Sequence, residues 1–153
     1  MSLALVEAAI VARLASDSTL TGLLAAGSSG ITVQLGRTAR AQPYIVVVVY
    51  DQEDNDAFDS DGCTVTAEIG IIADIAAGQV TPRAIIERIR GDATTHADRV
   101  PTYGLHRYAM TLDDANWKAG TCQRVEGSTQ HDIDSYTYVE TYRLNISRTA
   151  PAS

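Results

Sequence analysis

The chain has 153 residues, 45% hydrophobic and 20% charged, with a formal net charge of −7, a makeup that excludes wholesale disorder and suits one globular domain over 1–153. At this length roughly 68–70% of the unfolded surface is buried on folding, enough for a core without disulfides or metals. Twelve bases against 19 acids, with Lys118 the single lysine, exclude a protein that grips nucleic acid through clustered cations, though not one past which nucleic acid slides.

The N-terminus, Met1-Ser2-Leu3-Ala4-Leu5-Val6-Glu7, has no basic leader and meets an acid at once. With no apolar run near the roughly 18–20 residues of a membrane span, a soluble chain made in a cytoplasm and free of membrane contact is expected. Leu3, Val6, Ile10 and Leu14 recur at helical spacing and predict an amphipathic helix over 3–15. Asp17 and Ser18 can cap a second short helix through Leu20, Leu23 and Leu24 that stops at Gly27. After the turn 27–30, Ile31 to Leu35 alternates as a short strand. Residues 36–42 form a basic loop ended by Pro43, which biases the residue before it toward extended geometry.

Residues 44–50, Tyr-Ile-Val-Val-Val-Val-Tyr, are apolar on both faces and predict a strand in the middle of the sheet. The next strand, Cys63 to Ala73, alternates over its first half as an antiparallel neighbour covered on one face. Between them runs a long acidic hairpin loop at 51–62. Thr81 and Pro82 start a helix through Ile85, Ile86 and Ile89 that either stops at Gly91 or continues to about Val100. Two strands follow, near Leu105 to Leu112 and near Thr121 to Val125. The last strand, Tyr136 to Ser147, sets Tyr136, Tyr138, Tyr142, Leu144 and Ile146 on one face and Thr137, Thr141, Arg143 and Asn145 on the other. The whole reads as α/β in the α+β sense: one domain with a mixed, mostly antiparallel sheet flanked by two or three helices.

The charge is concentrated. Residues 1–50 carry three Arg against two acids and residues 63–153 nine bases against eleven, so nearly all of the −7 belongs to Asp51, Glu53, Asp54, Asp56, Asp59 and Asp61. As a calcium loop this run fails, because Asp56 stands where an EF-hand needs Gly and Gly62 where it needs Glu. What remains is a mobile, solvated loop, or one whose negative field faces a partner or a channel. His96, His106 and His131 lack metal-ligand spacing, and Cys63 and Cys122 stand 59 residues apart with no CxxC, which predicts two buried free thiols. No GxSxG elbow and no phosphate-binding glycine motif is present. Neither a catalytic residue, a cofactor nor a metal is assigned. Tyr136, Tyr138, Tyr142 and Arg143 are candidate subunit-interface positions, since a strand at a sheet edge offers backbone hydrogen bonds and amphipathic rings to a neighbouring subunit.

The order of "LASDSTLTGLLAAG", "ITVQLG", "QPYIVVVVYD", "CTVTAEIGIIAD", "PRAIIERIR" and "YTYVETYRLNISR" resembles the tail terminator, or tail completion, proteins of long-tailed bacteriophages and gene-transfer particles, over nearly the whole chain. The resemblance implies a structural virion protein that forms a six-membered ring on the head-proximal end of the tail tube. Such a ring halts polymerisation of the tube protein and joins neck or connector proteins. It leaves a channel through which DNA passes without specific binding. It implies no catalytic residues. The rivals are a head-tail connector subunit on the portal side and a small non-viral binding domain taking a metal ion or ligand through the acidic loop. A short flexible C-terminal tail is also expected.

Overall fold

The structure is a computed structural model that describes residues 3–33, 41–54, 62–74, 76, 78, 80–92, 101–131 and 135–149. Among these residues three α-helices, a 3-10 turn at Gly27–Gly30 and six strands occur: α1 (Leu3–Ala15), α2 (Ser18–Leu23), β1 (Ile31–Thr32), β2 (Tyr44–Asp54), β3 (Gly62–Asp74), α3 (Val80–Arg90), β4 (Trp117–Ala119), β5 (Gln123–His131) and β6 (Ser135–Arg148). The strands form one open mixed sheet in the order β1-β2-β3-β6-β4, with β5 also pairing β6. Only β1 and β2 are parallel; β2 with β3, β3 with β6, and β6 with both β4 and β5 are antiparallel. The fold is α+β.

Strict alternation along β3 decides where the core sits. Cys63, Val65, Ala67, Ile69, Ile71 and Ala73 are buried, while the residues between them are partly exposed. The buried positions pair with Ile45, Val47 and Val49 of β2 and with Tyr138, Tyr142, Leu144 and Ile146 of β6. Val6, Ile10 and Leu14 of α1, Leu20 of α2, and Ile85 and Ile89 of α3 belong to the same cluster. Each such aliphatic side chain withdrawn from water contributes about 1.5–3 kcal/mol, so the helix-covered face drives the fold.

Helix ends follow local chemistry. Asp17 accepts hydrogen bonds from the Thr19 and Leu20 N–H groups and caps α2. α3 begins at Val80, just ahead of Thr81 and Pro82, and ends at Arg90 because Gly91 has φ +93. Gly104, at φ +84, packs on Gly91 so closely that a Cβ on either would collide with backbone of the other's segment. The chain then hydrogen-bonds back to α3, Leu105 N–H to the Ile89 carbonyl at 2.8 Å and His106 N–H to the Arg90 carbonyl at 3.1 Å.

Several expectations are corrected. Strands β3 and β6, not β2, are the middle of the sheet, since β1 covers only Ile45 and Val46. Residues 105–112 form no strand: Arg107 takes φ +66, and a single bridge joins Ala109 to Thr121. Leu105, Met110 and Leu112 are nevertheless buried, so the apolar pattern marks packing without a ladder. The strand expected at 121–125 is β5, which starts at Gln123 and runs to His131, and β4 is an additional strand. Finally, β2 continues through Asp51, Glu53 and Asp54, with Glu53 opposite Thr64 and Asp54 opposite Cys63 beyond a one-residue bulge, so the strand takes up the first part of the expected loop.

Candidate assembly interface

All three helices contribute to the cluster on one face of the sheet, and the opposite face carries an apolar centre of its own. Three rows cross it: Tyr44, Ile72, Thr137 and Gln130; Val46, Gly70, Val139 and Ser128; Val48, Glu68, Thr141 and Glu126. An antiparallel sheet with one solvated face normally carries polar residues there. Here Val48 is 37% exposed, and Ile72 and Val139 are half-buried with no helix over them among the described residues. Val46 is buried but lies outside the helix-covered cluster. Gly70 has no side chain to fill the middle, leaving a shallow depression of about 210 Å³ between Val46, Val48, Ile72, Thr137 and Val139. Glu68 stands at its rim and accepts a hydrogen bond from the Tyr50 hydroxyl. Toward the other end of the same face Arg143 is exposed opposite Thr66, and Thr64 Oγ1 donates to Asn145 Oδ1 at 3.1 Å.

The tyrosine stripe of β6 points the other way. Tyr138 and Tyr142 are buried on the helix-covered face, and Tyr136 packs beside Tyr138 with ring centroids 5.9 Å apart. Strand β6 is not at an edge, because β3 pairs with it along its whole length and β4 and β5 occupy its other side. Strand addition at 136–147 therefore finds both sides of β6 occupied within the chain; of the four residues expected at an interface, only Arg143 is exposed. Of the acidic residues, Asp51, Glu53 and Asp54 lie on β2, whereas Asp56, Asp59 and Asp61 fall outside the described residues.

Glu140 is the polar residue that sequence reasoning missed. Alternation with Tyr138 and Tyr142 places it on the covered face, where it is 2% exposed. Arg124 of β5 grips its carboxylate with two hydrogen bonds, Nε to Oε1 and Nη2 to Oε2, each at 3.0 Å. Arg90 of α3 donates to the same two oxygens, the second at 3.3 Å. Burial alone would raise the Glu140 pKa, but the hydrogen bonds and charges of the two arginines outweigh it and hold the carboxyl below the ordinary glutamate value. Gly127 of β5 leaves room for this carboxylate, which a Cβ there would strike. Next to the cluster the Tyr142 hydroxyl is buried without a hydrogen-bond partner, and burial pushes both this hydroxyl and the Cys122 thiol well above their usual pKa. Cys63 and Cys122 are both free and buried.

The helix side is locked by a second set of arginines. Arg88 binds Asp17 through Nε at 3.0 Å and Nη2 at 2.7 Å and lies 3.4 Å over the Tyr103 ring. Arg13 donates to the Gly104 and Pro101 carbonyls at 3.1 and 3.2 Å and sits 3.7 Å over Tyr108. These contacts surround an open polar pocket of about 340 Å³, but its charges are spent on holding segment 101–108 against α1 and α3. Among the described residues no three His, Cys, Asp or Glu side chains converge as a metal site.

The comparisons with known proteins agree with this architecture. A solved chain from the "Virion of native gene transfer agent (GTA) particle" superposes with a TM-score of 0.69 at 17% identity, covering 92% of this chain and 93% of that one. A second solved chain, which carries no functional name, matches with a TM-score of 0.52 at 13% identity over 100% of this chain and 99% of its own. At these identities both likenesses concern the fold. No curated protein matches. The family model described as tail completion protein gp17 matches residues 8–116, from α1 through α3 to the turn before β4. The chain belongs to the tail completion protein gp17 family.

Proposed function

We propose that this tail structural protein acts as one domain that forms a ring on the head-proximal end of a phage-type tail tube. The ring stops tube growth and presents the surface that joins tail to head through neck or connector proteins. Family membership carries the reading. The open sheet face supports it, since among the described residues no helix packs on the apolar side chains around Gly70, and contact with another virion protein would bury those still exposed. The role is mechanical, with no reaction assigned to any residue. In the ring, the acidic residues from Asp51 to Asp61 line the channel, where repeated negative charge keeps passing DNA from sticking.

The deciding experiment is absolute mass by light scattering over a wide concentration range, alone and with purified tube ends, with negative-stain images of the largest species. A closed ring of about six subunits is expected from the family resemblance. A chain that stays monomeric in both settings contradicts the reading. For the channel, replacing the six acids by Asn and Gln should slow DNA delivery while tail length stays normal; unchanged delivery removes that part.

A further inference from the structure

Besides the short outer edges of β1 and β4, two longer strand edges of this sheet have no strand against them among the described residues. On one side β1 stops at Thr32, opposite Val46, which leaves the outer edge of β2 from Val47 to Asp54. On the other side β5 pairs with β6 alone. Cover on that side ends at the root of β5. Arg107 N–H donates to the Cys122 carbonyl at 2.6 Å, Ala109 bridges Thr121, and His106 Nδ1 accepts the Arg124 N–H at 3.1 Å. From 125 to 130, Val-Glu-Gly-Ser-Thr-Gln, every residue is exposed. Folded proteins blunt such an edge with lysine, proline or a covering segment. This stretch has neither residue type; its bulge at Val125 and its charge at Glu126 lie at the near end, 126–130 stay in register with β6, and no described segment covers them.

We infer that the outer edge of β5 accepts the outer edge of β2 from a second copy of the chain, so that the sheet continues from subunit to subunit. The inference rests on the ring reading and adds which edges meet. Two observations select a second copy as the occupant. The two edges lie on opposite sides of one sheet, so their contact is heterologous, the kind that closes into rings, whereas pairing of like edges stops at two chains. Strand direction agrees: β2, β3, β6 and β5 are successively antiparallel, so β5 runs opposite to β2, and a head-to-tail neighbour presents β2 antiparallel to β5.

The test is amide hydrogen exchange of the full chain as monomer, as ring, and with tube ends, together with a proline scan of 126–130. On ring formation, amides within 125–130 and within 47–54 should slow together by roughly tenfold or more, as new ladder bonds form. Prolines at positions whose N–H points outward should keep the monomer's thermal midpoint and abolish the ring mass; those whose N–H bonds β6 lower the midpoint instead. A ring in which 125–130 exchanges as in the monomer, or outward prolines that still give the full ring, overturns the edge assignment and leaves the ring reading standing. Protection that appears only with tube protein makes the tube the occupant and overturns the second-copy assignment. A chain that forms no ring in any setting removes both.

Discussion

Strand β3 presents two faces made by one stretch of chain, and they end in opposite states. Its buried positions from Cys63 to Ala73 are sealed beneath three helices, with exposures of 3% or less. The alternate positions, Thr64, Thr66, Glu68, Gly70 and Ile72, share their face with Val48 and Val139 and lie under no described helix. The sealed face completes itself within the chain and holds it together. The bare face keeps apolar groups that stay partly exposed until something else covers them, and substitutions on the two faces should therefore separate stability from assembly.

The sharpest break is expected on the sealed side, at the contact of Gly91 with Gly104. Both need positive φ, and a Cβ on Gly104 meets the backbone of Gly91 and Arg90. Gly104→Ala should cost about 3 kcal/mol or more in urea unfolding, because strain and collision add; a loss below about 1 kcal/mol would show that the segment relaxes. Next comes Glu140→Gln, which leaves two arginines around a neutral amide at a 2% exposed site. About 3 kcal/mol is expected, at the lower end for a broken buried pair because Arg90 and Arg124 are 38% and 28% exposed. Since the folded-state pKa of Glu140 is lowered, its contribution is fully present above the unfolded value of 4.5 and lost as pH falls through the folded value. The acid limb of a stability–pH curve, below 4.5, should therefore be shallower in the variant than in the parent.

A smaller effect is expected at His106, which holds the root of β5. Burial, then the charges of Arg107 and Arg124, lower its pKa below 6.5, so the folded chain keeps the imidazole neutral where the unfolded chain binds a proton. Stability should fall as pH drops from 6.5 through the folded value, and His106→Asn should flatten that slope in thermal melts at about pH 7.5 and 5.5. The smallest stability effects belong to the bare face. Gly70→Ala places a Cβ at ordinary contact, 3.8 Å from the Val46 carbonyl oxygen, and should raise stability by up to about 1 kcal/mol. Val48→Lys should change monomer stability by no more than about 0.5 kcal/mol yet lower the assembled mass in light scattering. If Val48→Lys assembles normally, the bare face takes no part in assembly.

Much of this division is legible in the sequence, for reasons that can be named. Helical spacing of Val6, Ile10 and Leu14 gives α1, Asp17 before Ser18 gives the cap of α2, and period-two alternation gives β3 and the tyrosine stripe of β6. The same alternation contains Glu140 between Tyr138 and Tyr142, so its inward aim was readable. Its partners were not, because bringing Arg90 and Arg124 to one carboxylate depends on a helix crossing and a strand register set by distant contacts. Four consecutive valines indicate a strand without saying whether its outer neighbour is long or, as β1 is, two residues. Apolar residues from Leu105 to Leu112 suggest a strand, but Gly104 and the left-handed Arg107 bend the chain into irregular packing.

The central claim, that this chain ends a tail tube, is tested most directly by measuring tail lengths in particles assembled with and without it. With the chain present, tails should have one length and carry heads; without it, tubes should overgrow and fail to join heads. Tails of normal length joined to heads in its absence would contradict the account.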